Sequence, residues 1–160
     1  MTDVMAVDKL PTDLPNTAYI TLWFPKPSET FIYREAQVMR RLGMPLTVYS
    51  MYGRLGSHLT EEMARDDIPV ERLGSRPALR GTRDLVYWWR RRPEVFGPMF
   101  RSLFFRRWRN LEQTGENYWG IYCGCYLARR FEETGVRHIH ACWANGPATA
   151  AWMASALTGI

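Results

Sequence analysis

The chain has 160 residues, 46% of them hydrophobic and 23% charged, an ordinary globular composition for one domain that excludes extended disorder. No run reaches the roughly 18 apolar residues that a membrane-spanning helix needs, and the opening MTDVMAVDKLPTDLPNT lacks the basic-then-apolar order of a signal peptide. The net charge of +5 is unevenly placed, because the ten arginines between Arg76 and Arg109 are set against only Asp84 and Glu94.

These features predict a cytoplasmic chain with a loose N-terminal tail over residues 1–16 and a domain over residues 17–160. Cys123, Cys125 and Cys142 are an odd set without an export signal, which predicts free thiols. The aromatic fraction of 14%, with seven Trp, serves either a bulky core or a surface that meets lipid or sugar. No internal repeat or low-complexity tract is present, which removes solenoid and linker readings.

In chain order, Tyr19 to Phe24 reads as a buried strand stopped by proline. The polar elbow Lys26 to Thr30 follows, and Thr30 to Leu42 reads as a helix ended by Gly43. Phe31, Glu35, Val38 and Leu42, with Ile32, Ala36 and Met39 beside them, recur at helical spacing, so one broad apolar face is expected with Glu35 out of place on it. Pro45 to Met51 is a second strand, and a connection of this length makes the pair parallel, a right-handed βαβ unit.

Glu61 to Asp66 reads as a short helix and Pro69 to Leu73 as a short edge element. Gly81 to about Leu111 is helical in length but interrupted at Pro93 and Pro98. Tyr118 to Glu133 is a helix stopped by Gly135, Val136 to Ala144 a strand, and Pro147 to Leu157 an Ala-rich helix with proline in its first turn and Gly159 beyond its end. The repeated strand-helix order predicts a three-layer α/β domain with a mainly parallel sheet, in which the strands near Tyr19 and Val136 are neighbours or near neighbours.

Three groups of residues invite a chemical reading. The elbow puts the free N–H groups of a new helix at the carboxyl end of a strand, where open α/β sheets bind ligands, with Ser28 able to cap and Glu29 suited to the helix dipole. It serves equally well as an ordinary helix start, and without GxGxxG or a P-loop it does not indicate a dinucleotide or ATP site. His138, His140 and Cys142 alternate along HIHACWA and share one strand face. No fourth ligand accompanies them, so no metal is expected, and polar residues facing a cleft explain them as well.

The third group is the basic-aromatic tract DLVYWWRRRPEVFGPMFRSLFFRRWRN, with Trp88, Trp89, Arg90, Arg91, Arg92, Arg106, Arg107 and Trp108 as candidates for contact with an anionic membrane surface. Arginines that track nucleic-acid phosphates, or that cover apolar neighbours with their stems, are the alternatives. No nucleic-acid motif accompanies the charge, so no nucleic-acid partner is expected.

The first strand with FPKPSETFIYREAQVMRRLGMPLTVYSMYG, and later HIHACWANGPATAAWMASALTGI, together resemble the N-terminal domain of family 4 glycosyltransferases of the GT-B fold, particularly those of bacterial exopolysaccharide synthesis such as colanic acid. The shared marks are the Phe24-Pro25 elbow, Ser28-Glu29-Thr30-Phe31, the helix to Gly43, and the His-x-His strand running into an Ala-rich helix that ends in Thr-Gly-Ile. The resemblance covers about half of the chain; Gly53 to Asn117 adds little to it.

What the resemblance implies is the front, acceptor-side part of a retaining sugar transferase, with Ser28, Glu29 and Thr30 facing the reacting sugars and His140 and Asn145 along the same rim. The implied partner is a saccharide or lipid-linked acceptor, at a location that is cytoplasmic or peripheral on the inner membrane. In such enzymes a further strand, a histidine-containing loop and a second Rossmann-like domain follow Thr-Gly-Ile, and that domain grips the nucleotide-sugar donor. No cofactor is therefore expected in this chain, and no transfer by these residues alone. A non-catalytic module that binds a membrane surface or a partner is the alternative, and a complete chain of this kind is expected to hide its bare apolar surface by self-association.

Overall fold

The computed structural model describes residues 13–53, 59–65, 67–105 and 111–160. The first strand, β1 (Thr17–Thr21), is buried at all five positions and lies inside a four-stranded sheet. It pairs in parallel with β2 (Leu46–Ser50), Thr17 opposite Leu46, and on its other side with β4 (His138–Ala141), Thr17 opposite His138. The short β3 (Val70–Arg72) pairs in parallel with β2, which gives the order β3-β2-β1-β4. The expected adjacency of the first and last strands is thus met, and the chain is a parallel α/β domain covered by helices on both sheet faces.

The period of two along a strand sorts side chains between those faces. Ala18 and Ile20 of β1, with Tyr49 and Met51 at the end of β2, enter a core shared with the later helices α3 (Arg76–Arg91), α4 (Pro93–Phe104), α5 (Leu111–Thr134) and α6 (Gly146–Thr158). Tyr19, Leu46 and Val48 point the other way, to Ile32, Tyr33 and Ala36 of α1 (Thr30–Arg41) and to Met63 of α2 (Glu61–Arg65). Residues ahead of β1 engage the turn between α5 and β4: Asn16 Nδ2 donates to Thr134 O at 2.9 Å, and Arg137 pairs with Asp13.

Several elements depart from the sequence reading, each for a physical reason. The buried stripe of α1 runs through Ile32, Tyr33 and Ala36, whereas Phe31, Val38 and Leu42 are exposed, so the apolar face is rotated by one row. Pro98 does not interrupt α4. The carbonyl its missing N–H leaves unserved belongs to Glu94, in the exposed first turn, where the loss costs least. Pro93 does open that helix, at a position whose N–H would have no helical partner anyway. The long helix α5 begins at Leu111 instead of Tyr118, because the good helix formers Glu112 and Gln113 extend it outward with Leu111 exposed. Glycines with positive φ stand where helix ends were read, Gly43 at +85° and Gly159 at +82°.

Helices α5 and α6 meet through glycines. A Cβ placed on Gly124 would lie 2.6 Å from Met153 Cβ and 2.9 Å from Ala150 O, and one on Gly120 would lie 2.9 Å from Gly146 O. Neither a backbone oxygen nor a Cβ can swing aside, so the helices approach this closely only because both positions lack a side chain. Replacing a helical glycine by alanine ordinarily gains about 1 kcal/mol, while forcing a methyl into a filled core costs about 1–3 kcal/mol. Gly124→Ala is therefore expected to lower the unfolding free energy by up to about 2 kcal/mol, whereas Gly115→Ala, on the same helix but facing open space, is expected to raise it by up to about 1 kcal/mol. Paired urea titrations check this; equal effects of the two changes would contradict the close contact.

Candidate functional site

The strand order places the two connections of interest side by side. Strand β1 lies between β2 and β4, its own connection leads to α1 on one face, and β4 leads to α6 on the other. The gap between those connections, at the carboxyl ends of β1 and β4, is the switch point at which open parallel sheets bind ligands. The elbow residues Ser28, Glu29 and Thr30 flank it from one side, and Asn145, at the entry to α6, from the other.

The elbow is a 3-10 turn, Pro27–Glu29, leading directly into α1. Ser28 does not cap: Glu29 holds the N-cap position of α1, and no side chain there accepts from the first-turn N–H groups. Asn145 likewise holds the N-cap of α6 without a side-chain cap bond. Two helix N-termini thus meet this end of the sheet with their first-turn donors free of side-chain caps. Ser28 and Thr30 are exposed, whereas one carboxylate oxygen of Glu29 pairs with Lys26 Nζ and the other, Oε2, is buried without a partner.

Buried polar atoms without partners cost about 1–3 kcal/mol each, and are correspondingly rare. Here Thr21 Oγ1, Glu29 Oε2, Trp143 Nε1 and Asn145 Oδ1 are such atoms, all within β1, β4 or the connections that leave them. A fifth, Trp119 Nε1, belongs to an aromatic row at the same end: Lys26 Nζ lies 5.5 Å from the Trp23 ring, Trp23 stacks on Tyr52 at 4.5 Å, and Tyr52 stacks on Trp119 at 6.3 Å. Phe31 meets Trp143 edge-on at 5.9 Å. No local sequence pattern links Trp23, Trp119 and Trp143; what joins them is tertiary.

Beneath the rim lies a polar cluster. Tyr19 and His140 are partners in the parallel register, so they share a face, and their rings stack at 4.9 Å with planes 6° apart. Glu35 bridges them, accepting from Tyr19 OH at 2.6 Å on one oxygen while the other lies 4.0 Å from His140 Nε2. The carboxylate that seemed misplaced on the helix face is thus the acceptor for this pair. Burial, then hydrogen bonding with Cys142 and Glu35, raises the Tyr19 phenol far above its ordinary range, so it remains a donor. Cys142 lies against the same phenol, and burial pushes its thiol up to about 12. His138 is exposed at the other end of the strand, and among the described residues no group of three His, Cys, Asp or Glu side chains is placed to hold a metal ion.

The candidates in the basic-aromatic tract separate. Trp88 is fully buried and donates its indole N–H to Cys125 O at 3.0 Å, a core role that joins α3 to α5. Arg91 pairs with Glu132, and Arg92 pairs with Glu94 and donates to Leu157 O. Trp89 and Arg90 are exposed. Arg106, Arg107 and Trp108 lie outside the described residues. No helix among the described residues is long and apolar enough to cross a membrane.

Compared with models of protein families, with curated proteins and with solved structures, the chain finds no match in any of the three.

The thiols provide a test of the packing around β4 and α5. All three cysteines are free, and burial raises the pKa of Cys123 and Cys125 as it does that of Cys142. A thiol at about 12 is thiolate at pH 8 in only about one molecule in ten thousand, against a quarter or so for an ordinary cysteine. Native protein at pH 8 is expected to show no fast-reacting thiol toward a chromogenic disulfide, and denatured protein three. A fast phase in the native state would contradict this arrangement.

Proposed function

We propose that this chain is the acceptor-side half of a GT-B glycosyltransferase, and that the crevice after β1 and β4 holds the saccharide or lipid-linked sugar that receives a residue from a nucleotide-sugar. The observation that carries this reading is the gathering of unpartnered polar atoms among aromatic rings at the switch point of the sheet. Sugar hydroxyls both donate and accept, and the residues at this end of the sheet carry both complements, indole N–H groups on Trp119 and Trp143 and acceptor oxygens on Glu29 and Asn145, all buried here and uncovered when the sugar enters. Sugar rings also carry C–H faces that lie against aromatic surfaces, which Trp23, Tyr52 and Trp143 supply. The resemblance of the elbow and of the β4–α6 segment to family 4 transferases selects this class among ligands of that chemistry.

In this reading the chain supplies binding and orientation. The acceptor hydroxyl is held toward the gap between the two helix N-termini, and the nucleotide-sugar approaches on a second domain. Holding the reactants together converts an encounter into an intramolecular step, the largest contribution such a half can make.

The test is binding. Oligosaccharides of neutral and uronic-acid type, titrated against the chain by saturation-transfer NMR and tryptophan fluorescence, are expected to bind and to perturb indole emission. A hydrogen bond to a charged group contributes about 1.5–3 kcal/mol, so Glu29→Gln is expected to weaken binding about tenfold or more, and Trp143→Phe is expected to weaken it measurably with the melting temperature little changed. Absence of binding by every saccharide at millimolar concentration, or undiminished binding by both variants, would overturn the reading.

A further inference from the structure

Between β3, α3 and α5 lies a hollow of about 180 Å³ that is lined, apart from Tyr126, by charged side chains. The guanidiniums of Arg76, Arg80, Arg129 and Arg130 meet the carboxylates of Glu71, Asp84 and Glu133 there, which leaves one positive charge over. Strand β3 is the outer strand, with β2 between it and β1, so the hollow is separate from the crevice after β1 and β4.

The acids are shared unevenly. Asp84, 2% exposed, accepts from Arg129 at 2.9 Å. Glu71 accepts from Arg130 Nε with both oxygens, at 3.0 and 3.2 Å, and Glu133 lies 3.4 Å from Nη1 of the same guanidinium. All three acids are thus held by the two arginines of α5. Arg76 and Arg80 make no hydrogen bond or ion pair among the described residues, although Asp84 stands one turn beyond Arg80, at a spacing that ordinarily allows one. They are also one turn from each other, on the same side of α3, where like charges repel. Arg76 opens that helix, and the N-terminal turn is the end at which a cation is least favoured and an anion most. An anion between the two guanidiniums relieves both costs.

We propose that this hollow binds the phosphate group of a small solute, held by Arg76 and Arg80, while Arg129 and Arg130 keep the neighbouring acids engaged. The number of donors selects the ligand. A carboxylate has oxygens for one guanidinium fork, whereas a phosphate group presents a further oxygen and serves two. Size and charge restrict it further. The hollow has the volume of about six waters, which admits a phosphate with a few more atoms but not a nucleotide. A nucleic-acid strand or a bilayer is drawn by a broad cationic field, and Glu71, Asp84 and Glu133 interrupt any such field here.

Calorimetric titration of the intact chain with inorganic phosphate, glycerol phosphate and acetate, at about 0.05 M salt to limit screening, tests it. Both phosphate compounds are expected to bind and to raise the melting temperature, and the tighter of the two names the source; acetate is expected to bind about tenfold or more weakly. Arg76→Gln with Arg80→Gln is expected to weaken phosphate binding about a hundredfold. Arg83→Gln with Arg90→Gln, equal in charge and on the same helix but outside the hollow, is expected to leave it within about twofold. Arg80→Lys keeps the charge without the fork and is expected to weaken binding severalfold, whereas Glu133→Gln removes an opposing charge and is expected to strengthen it. Circular dichroism and melting of each variant without ligand separate loss of binding from loss of fold. No binding by either phosphate compound at about 10 mM, acetate bound as tightly as phosphate, or equal weakening by the two arginine pairs, the mark of an adventitious ion only, would each overturn the proposal.

Discussion

The arrangement at the carboxyl end of the sheet depends on how closely α5 and α6 approach. The two helices meet through Gly120 and Gly124, and through Gly146 where the first turn of α6 comes within 3.4 Å of Glu116 O for a notional Cβ. Apart from Trp152, no large apolar side chain of α6 is exposed, so the helix must be enclosed by α5 and the sheet together. That enclosure fixes where its N-terminal turn points. Met51 and Leu22, just past the ends of β2 and β1, close on the same glycine, so strand ends, Asn145 and Trp143 are held in one frame.

The polar cluster on the opposite face of β1 is held by a different constraint. Strand β1 is buried throughout, and its hydroxyl-bearing Tyr19 needs an acceptor there. Glu35 supplies it from α1, and His140 covers the ring from the neighbouring strand. Because Glu35 and His140 are themselves only half-shielded, their 4.0 Å contact contributes little energy, and its value is positional. It ties the helix that follows the elbow to the strand that precedes the second connection. The connections that follow β1 and β4 are thereby joined at their base.

Much of the fold was legible because it rests on local signals. Short apolar runs, a glycine after each of the helices ending near Gly43 and Gly159, and prolines at Pro93 and Pro147 mark elements within a few residues of their observed bounds. Errors arose where tertiary contact overrides periodicity. Phe31, Val38 and Leu42 fit an apolar row as well as Ile32 and Ala36 do, and only the position of the sheet decides which row is covered. The site was legible as an elbow, Ser28 to Thr30, and as an alternating strand, His138 to Cys142. It was not legible as a cluster, since Tyr19 meets His140 only through the parallel register of strands joined by more than a hundred residues, and Trp23 meets Trp119 only by way of Tyr52.

The arginines illustrate the same division between what composition states and what packing decides. A tract rich in arginine reads as one cationic surface, yet the folded chain spends several of these charges internally: Arg91 on Glu132, Arg92 on Glu94 and a backbone carbonyl of α6, while Arg129 and Arg130 of α5 serve Asp84 and Glu71. Of these acids Asp84 is buried and Glu71 half-buried, whereas Glu94 and Glu132 stay at the surface. The outer face of α3 is left cationic by subtraction, and its potential is therefore larger than a net charge of +5 spread over the whole surface would give. Pairing of this kind leaves Arg83 and Arg90, which form no ion pair among the described residues, beside the exposed Leu79, Val86 and Trp89 on one helix face.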